Sequence, residues 1–273
     1  GSVGISGIGI IGCGAMGTAL ARGITAPGGI SPADVWIYDL KEQRADTVAG
    51  ELGLRTAGTP EQLFQQCRYI FVVIKPQDVA AAVDSWKDLY RPGVHLLISL
   101  AAGVTIKFYE KRLPAGSKVI RLMPNTPCLI GEGAIAMSAG SAVNPEEVAE
   151  AGQLLAHLGL TVPVPENLMD AVTGLSGSGP AYVFLFIEAL IDAGVTVGLS
   201  REIAADLAVQ TVLGAARMLR ESGRHPAELR NAVTSPAGTT AAALAALEKG
   251  RFRSDLIEAV IAAAQRSGEL KRE

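Results

Sequence analysis

The chain has 273 residues, with 24 basic against 27 acidic side chains and a net charge of −3. That near balance argues against broad nucleic-acid binding, which needs a basic surface. Charged residues make up only 19% and apolar ones 49%, against about 25% charged in an ordinary soluble chain, so extra surface is expected to be hidden between subunits.

The three cysteines, Cys13, Cys67 and Cys128, are odd in number and widely spaced. They read as reduced thiols and not as a disulfide framework. His95, His157 and His225 lack ligand spacing, and no metal is expected. Gly1-Ser2 reads as a cloning scar. Tyr182 to Leu199 is very apolar, but Glu188 and Asp192 interrupt it, whereas a membrane span needs about 20 nearly uncharged residues. The expected location is the cytoplasm, with no membrane partner.

The first 160 residues alternate between strand and helix patterns. Ile8–Ile11 is a short apolar run before a glycine turn, as a buried parallel strand should be. Ala15–Thr25 has helical spacing, and Ser31-Pro32 opens a single turn. Val35–Tyr38 is a second strand and Gln43–Leu52 a second helix. A strand over Tyr69–Ile74 is stopped by Pro76, and a helix over Gln77–Tyr90 sets Val79, Val83 and Trp86 on one face. His95–Ser99 (strand), Ile106–Leu113 (helix) and Lys118–Leu122 (strand, closed by Pro124) follow. Asn144-Pro145-Glu146-Glu147 is a helix start with cap, proline and acids in the first turn. That helix is expected to run to His157 and end at Gly159. The pattern predicts an α/β doubly wound parallel sheet over residues 1–164.

From residue 165 to 273 hardly a strand candidate remains. Helices are predicted at Pro180–Ala193, Arg201–Ser222, Pro226–Val233, Thr240–Lys249 and Ser254–Leu270. Only six charged residues fall between Ala181 and Leu219. Helices apolar nearly all round must be buried on all sides, so this second, all-α domain is expected to serve dimerisation.

Gly12-Cys13-Gly14-Ala15-Met16-Gly17 joins the first strand to the first helix. In a Rossmann-type fold the first glycine permits the turn, the second admits a pyrophosphate, and the third lets helix pack on sheet. The helix start supplies N–H groups to the phosphates. Asp39 ends the second strand, 22 residues after Gly17. An acid there suits a ribose 2′-OH and hence NAD, while Lys41 and Arg44 suit a 2′-phosphate, so the choice between NADP(H) and NAD(H) stays open. Val72-Val73-Ile74-Lys75-Pro76, Ser99-Leu100-Ala101-Ala102-Gly103 and Met123-Pro124-Asn125-Thr126-Pro127 all lie at the carboxyl ends of strands, where ligands of open α/β sheets bind. In the helical half, Leu175–Pro180, with proline at or near the helix start, and Thr234–Thr240 each precede a helix and offer small residues, hydroxyls and helix-start N–H groups, a recipe for holding a carboxylate or phosphate.

No Gly-x-Ser-x-Gly elbow or His–carboxylate pair is present. Oxidising an alcohol needs a positioned base; reducing a protonated imine does not, because its carbon is already electrophilic.

Six segments occur together in order: Gly12–Gly17, Val73-Ile74-Lys75-Pro76, Ala101-Ala102-Gly103-Val104-Thr105, Met123–Pro127, Leu175-Ser176-Gly177-Ser178-Gly179-Pro180-Ala181-Tyr182, and Ser235-Pro236-Ala237-Gly238-Thr239-Thr240. With them the chain resembles the Δ1-pyrroline-5-carboxylate reductase family. The resemblance implies a Rossmann domain, an all-helical domain interleaved with that of a second chain, and dimers or larger rings of dimers. It implies reduction of pyrroline-5-carboxylate to L-proline with NADPH, often NADH. By the same resemblance the dinucleotide contacts fall on Gly12, Cys13, Gly14, Ala15, Met16, Gly17, Lys75, Pro76, Ala101, Ala102 and near Asn125; Asp39 joins them on its position at the end of the second strand. The substrate carboxylate falls to Ser235, Gly238, Thr239 and Thr240, with Thr240 the candidate catalytic contact. One departure is Ala237, where the family commonly has glycine; alanine disfavours a positive φ. A β-hydroxyacid dehydrogenase of the same architecture would want a lysine in the first interdomain helix, and Leu175–Leu190 has none. A non-catalytic dinucleotide-binding regulator would not need the Ser235–Thr240 loop.

Overall fold

The computed structural model describes residues 6–273; the Gly1-Ser2 reading lies outside them. Eight strands form one sheet: β1 Gly7–Ile11, β2 Val35–Tyr38, β3 Arg55–Thr56, β4 Cys67–Val72, β5 Leu96–Ser99, β6 Lys118–Met123, β7 Gly133–Ala139 and β8 Gly159–Pro163. The helices are α1 Ala15–Ile24, α2 Glu42–Leu52, α3 Pro60–Gln66, α4 Val79–Trp86, α5 Ile106–Arg112, α6 Pro145–Leu154, α7 Met169–Val172, α8 Gly179–Thr196, α9 Arg201–Ser222, α10 Pro226–Ala232, α11 Thr239–Lys249 and α12 Phe252–Leu270.

The strand order is β3-β2-β1-β4-β5-β6-β7-β8. The first six strands of that order are parallel neighbours, and the register carries one row across the sheet: Tyr38, Ile11, Val72, Ser99, Arg121. Because β1 and β4 are neighbours while β2 lies on the other flank of β1, the order reverses between them. That crevice at the carboxyl ends is where open α/β sheets bind ligands.

Pleating sends alternate side chains to opposite faces. On one face Ile8, Ile10, Ile37, Phe71, Ile98 and Leu122 pack with Leu20, Ile24 and Leu155. On the other Ile11, Ile70, Val72, Leu97 and Val119 pack with Leu63, Val83, Trp86 and Tyr109. Val79, Val83 and Trp86 are all buried, as their spacing predicts. Asn144 and Glu147 close a reciprocal capping box at the start of α6.

Several expectations need correction. The sheet is not wholly parallel, since β7 runs antiparallel to β6. β7 escapes sequence reading because Gly-Ala-Ile-Ala-Met-Ser-Ala is poor in the branched and aromatic residues that mark strands, and β8 because its three branched residues sit between a glycine and a proline. β3 and α3 are too short to show a period. The third expected strand lies two residues earlier, at Cys67–Val72, with Val73 still donating to the Ile11 carbonyl. The Gln77–Tyr90 segment is α-helical only over Val79–Trp86, with a 3₁₀ turn at each end. α6 stops at Leu154, short of His157. Gly159 does not end a helix but opens β8 at φ 148°, where a Cβ would stand 2.0 Å from the Gly133 carbonyl oxygen.

Two compact units emerge: Gly1–Ser178 with Ala263–Glu273, and Gly179–Ala262. The second is all-helical. The helix spanning Glu166–Thr196 is long and apolar enough, by length and composition, to cross a membrane. On α8, Phe184 is 66% and Leu185 68% exposed in the single chain.

Candidate active site

β1 delivers the chain into the glycine turn, and each glycine has a distinct task. Gly12 sits at φ 113°, and a Cβ there would fall 2.1 Å from the Val73 carbonyl oxygen. A Cβ on Gly17 would fall 2.1 Å from the Gly12 oxygen, so only glycine lets α1 approach the turn. Around Gly14 no atom lies within 4 Å of the Cβ position. Gly14 is also the N-cap of α1 and makes no side-chain cap bond. The first N–H groups of α1 therefore have no intrahelical partner and suit a phosphate. The Cys13 side chain is buried, and burial, aided by the Asp39 carboxylate, pushes its thiol up to about 12. It is an inert thiol that contributes backbone and packing.

Asp39 is half-buried and occupied at both oxygens. Cys13 N–H donates to Oδ2 at 2.9 Å and Lys41 N–H to Oδ1 at 2.8 Å. The acid thus braces the glycine turn, a task that sequence spacing does not disclose. Lys41 and Arg44 are exposed beside it.

Along the same edge, Lys75 is exposed and opens the 3₁₀ turn Pro76–Asp78. Ala101 is buried and Ala102 exposed. Ala101 N–H donates to Ser99 Oγ at 3.2 Å, and Ser99 Oγ shares a 2.5 Å hydrogen bond with the Tyr109 hydroxyl. Asn125 is committed on both sides of its amide: Oδ1 accepts from Ala134 N–H at 2.9 Å, and Nδ2 donates to the Ser176 carbonyl at 3.1 Å. Pro180 has no N–H to offer the carbonyl four residues earlier, and Asn125 supplies the donor to that Ser176 carbonyl. The structure thereby brings Gly12–Gly17, Asp39, Lys75-Pro76, Ala101-Ala102 and Asn125 to one carboxyl edge of five adjacent strands. Tyr109, which holds Ser99 Oγ, is a contributor that sequence reasoning missed. Ser99 ends a strand that is legible in the sequence, but Tyr109 is an ordinary buried helix residue by pattern.

In the second unit, Ser235–Thr240 leads into α11. Gly238 is the N-cap, again without a side-chain cap, and its N–H donates to the Ser235 carbonyl at 3.1 Å. A Cβ on Gly238 would meet Ser235 Oγ at 2.3 Å. Ala237 holds φ 55°, the one left-handed non-glycine among the described residues. The chain keeps the loop shape that glycine would adopt freely, at a cost of about 1–2 kcal/mol for a residue with a Cβ. Thr239 is exposed and Thr240 half-buried.

The companion segment Leu175–Pro180 leads into a helix as expected, with Pro180 the second residue of α8, but a π turn precedes it in place of a free helix start. Thr173–Gly177 forms a π-helical turn, with Ser178 N–H donating to the Thr173 carbonyl at 2.8 Å. The Ser178 N–H is spent on that turn, and wide turns of this kind recur at functional sites.

Two families of sequence model match the chain: one described as pyrroline-5-carboxylate reductase dimerisation, over residues 166–270, and one as NADP oxidoreductase, coenzyme F420-dependent, over residues 7–103. A curated pyrroline-5-carboxylate reductase of Methanosarcina acetivorans is 40% identical over 96% of this chain and 97% of its own. The chain belongs to the pyrroline-5-carboxylate reductase family. The reductase structure from Coxiella burnetii is similar, at a TM-score of 0.93 and 34% identity, covering 98% of this chain and 100% of that one. The Plasmodium falciparum enzyme, solved with NADP bound, matches at a TM-score of 0.84 and 34% identity over 98% of both chains. This reductase-family chain accordingly combines a Rossmann-type sheet with a helical domain of the family's dimerisation type.

Proposed function

We propose that this chain reduces 1-pyrroline-5-carboxylate to L-proline, the last step of proline biosynthesis, using NADPH and accepting NADH. The observation that carries this reading is the full-length likeness to curated reductases of that name. The geometry agrees at two places: the cleared, uncapped helix start at Gly14 and the uncapped helix start at Gly238.

In this reading residues 1–164 bind the dinucleotide and 165–273 serve substrate binding and dimerisation. The glycine turn takes the pyrophosphate, Asp39 faces the adenosine ribose, and Lys75-Pro76, Ala101-Ala102 and Asn125 line the nicotinamide side. A bound NADPH supplies the hydride. The chain's own work is to hold the imine acid in register. Ser235, Gly238, Thr239 and Thr240 receive the carboxylate through helix-start N–H groups and the Thr240 hydroxyl. C5 then accepts the hydride, and the ring nitrogen carries a proton taken from solvent. Orientation of this kind can supply about 7–11 kcal/mol of a barrier.

The apolar faces of α8 and its neighbours pack against a second copy rather than lipid, because Glu188 and Asp192 interrupt the helix. Assembly of dimers into a larger ring and residence in the cytoplasm complete the reading. The test is loss of nicotinamide absorbance when purified protein meets pyrroline-5-carboxylate with NADPH, and with NADH, alongside proline formation. Absence of turnover with both cofactors would leave a non-catalytic dinucleotide binder.

A further inference from the structure

We infer that the C-terminal residues Lys271–Glu273 are a positioning strap for the Ala101–Val104 turn, holding it in the shape that meets the dinucleotide. This rests on the assignment of Ala101 and Ala102 to the cofactor.

The turn is fixed from two sides. Its upstream half hangs from the sheet. Leu100 N–H donates to the Val72 carbonyl at 2.9 Å, and Ala101 N–H to Ser99 Oγ, which Tyr109 holds in turn. Its downstream half meets the C-terminal segment. Arg272 N–H donates to the Gly103 carbonyl at 2.8 Å, and Thr105 N–H donates to the Arg272 carbonyl at 3.1 Å. Together they make a parallel bridge between Val104 and Arg272, outside every named strand. Gly103 stands between the halves at φ 72°, with its Cβ position 3.5 Å from the Leu270 carbonyl oxygen. Immediately beyond, Ile106 N–H donates to Glu166 Oε2 at 2.9 Å, and Glu166 pairs with the buried Arg121 at 3.2 Å.

The consequence is geometric. Within the turn itself the closing bond, Val104 N–H to the Ala101 carbonyl, is long at 3.4 Å. Glycine at a positive φ is also the least restricted hinge the chain can supply. Two bonds from Arg272 on either side of Val104 remove that freedom before any ligand arrives. Preorganising a binding loop lowers the ordering cost of binding. Both bonds use only the Arg272 backbone, which is why no side-chain motif at the end of the chain announces the strap.

Arg272→Pro deletes the donor to Gly103 and keeps the carbonyl; removing residues 271–273 deletes both bonds. Each should weaken NADPH binding about three- to tenfold, the worth of one or two net hydrogen bonds. The KM for pyrroline-5-carboxylate at saturating NADPH should hold, and Tm should move little. Arg272→Ala keeps both backbone bonds and should restore tight NADPH binding relative to Arg272→Pro. Unchanged NADPH affinity in both strap variants would overturn the proposal, as would loss of folding in both, or equal weakening by Arg272→Ala. Ala102→Trp separates this from the underlying reading, since bulk on that exposed residue should block the dinucleotide. If Ala102→Trp weakens NADPH binding and the strap variants do not, the strap alone is wrong. If Ala102→Trp binds NADPH normally, the turn does not meet the cofactor and both fall.

Discussion

Asp39→Asn separates a task that the structure shows, bracing the glycine turn, from one proposed for the same carboxylate, facing the ribose. Its oxygens accept from Cys13 N–H and Lys41 N–H at 2.9 and 2.8 Å. Asparagine keeps one acceptor and turns the other into a donor, so one of these bonds is lost. A hydrogen bond to a charged group is worth about 1.5–3 kcal/mol, and partial exposure of Asp39 to water puts the loss at the lower end. Both dinucleotides should therefore bind about tenfold more weakly. The second task is electrostatic. A carboxylate within about 5 Å of a 2′-phosphate costs about 1–3 kcal/mol per unit charge at effective dielectric constants between 80 and 20. The neutral amide removes that penalty for NADPH alone. The ratio of NADPH to NADH affinity should rise about five- to a hundred-and-fiftyfold. Titration of nicotinamide fluorescence with each cofactor reads both numbers from one protein. A parallel loss with a fixed ratio would show that Asp39 braces the turn and never faces the ribose. A shifted ratio with no common loss would refute the bracing role.

Gly14→Ala meets open space at a φ that alanine accepts, so Tm should stay within about 2 °C while the KM for NADPH rises at least about tenfold; a normal KM would remove the pyrophosphate from this turn. Thr240→Val keeps shape and deletes the hydroxyl, and kcat/KM for pyrroline-5-carboxylate should fall about ten- to a hundredfold. The Kd for NADPH should hold, and the reverse result would assign the loop to the dinucleotide. Phe184→Asp puts a charge on the exposed apolar face of α8, and size-exclusion chromatography should show monomer or aggregate in place of dimer. His95 is held neutral. Arg91 N–H donates to its Nδ1 at 2.9 Å, its Nε2 lies 2.7 Å from the Phe64 carbonyl, and burial lowers its pKa. A depressed histidine contributes stability that is full above its unfolded value of about 6.5 and is lost as pH falls below it. Urea midpoints should decline from pH 7.5 toward 5, and less steeply in His95→Gln.

Most of the fold and part of the site are legible in the residues themselves, for local reasons. Apolar runs such as Val35–Tyr38 match the observed strand, and Arg201–Ser222 matches its helix. Gly12, Gly14 and Gly17 announce their roles because each lacks a Cβ where one would collide with backbone or close an open face. Asn144 and Glu147 announce a helix start because the capping bonds are made within four residues. The scarcity of charge after residue 180 announces a covered surface before any partner is considered.

What only the tertiary structure decided depends on partners distant in the chain. No local pattern says that Asp39 is spent on the glycine turn, that Asn125 repairs a carbonyl at Ser176, or that Arg272 meets Gly103. β7 runs against β6 because the ladder it joins, and not its own small residues, defines its direction. The Leu175–Pro180 segment reads as offering free helix-start N–H groups, yet the Ser178 N–H is taken by the Thr173 carbonyl in a π turn. Propensity and spacing are short-range quantities, fixed by each residue's own side chain and backbone freedom. Hydrogen bonds between distant backbone groups carry no such signature, because every residue except proline offers the same donor and acceptor.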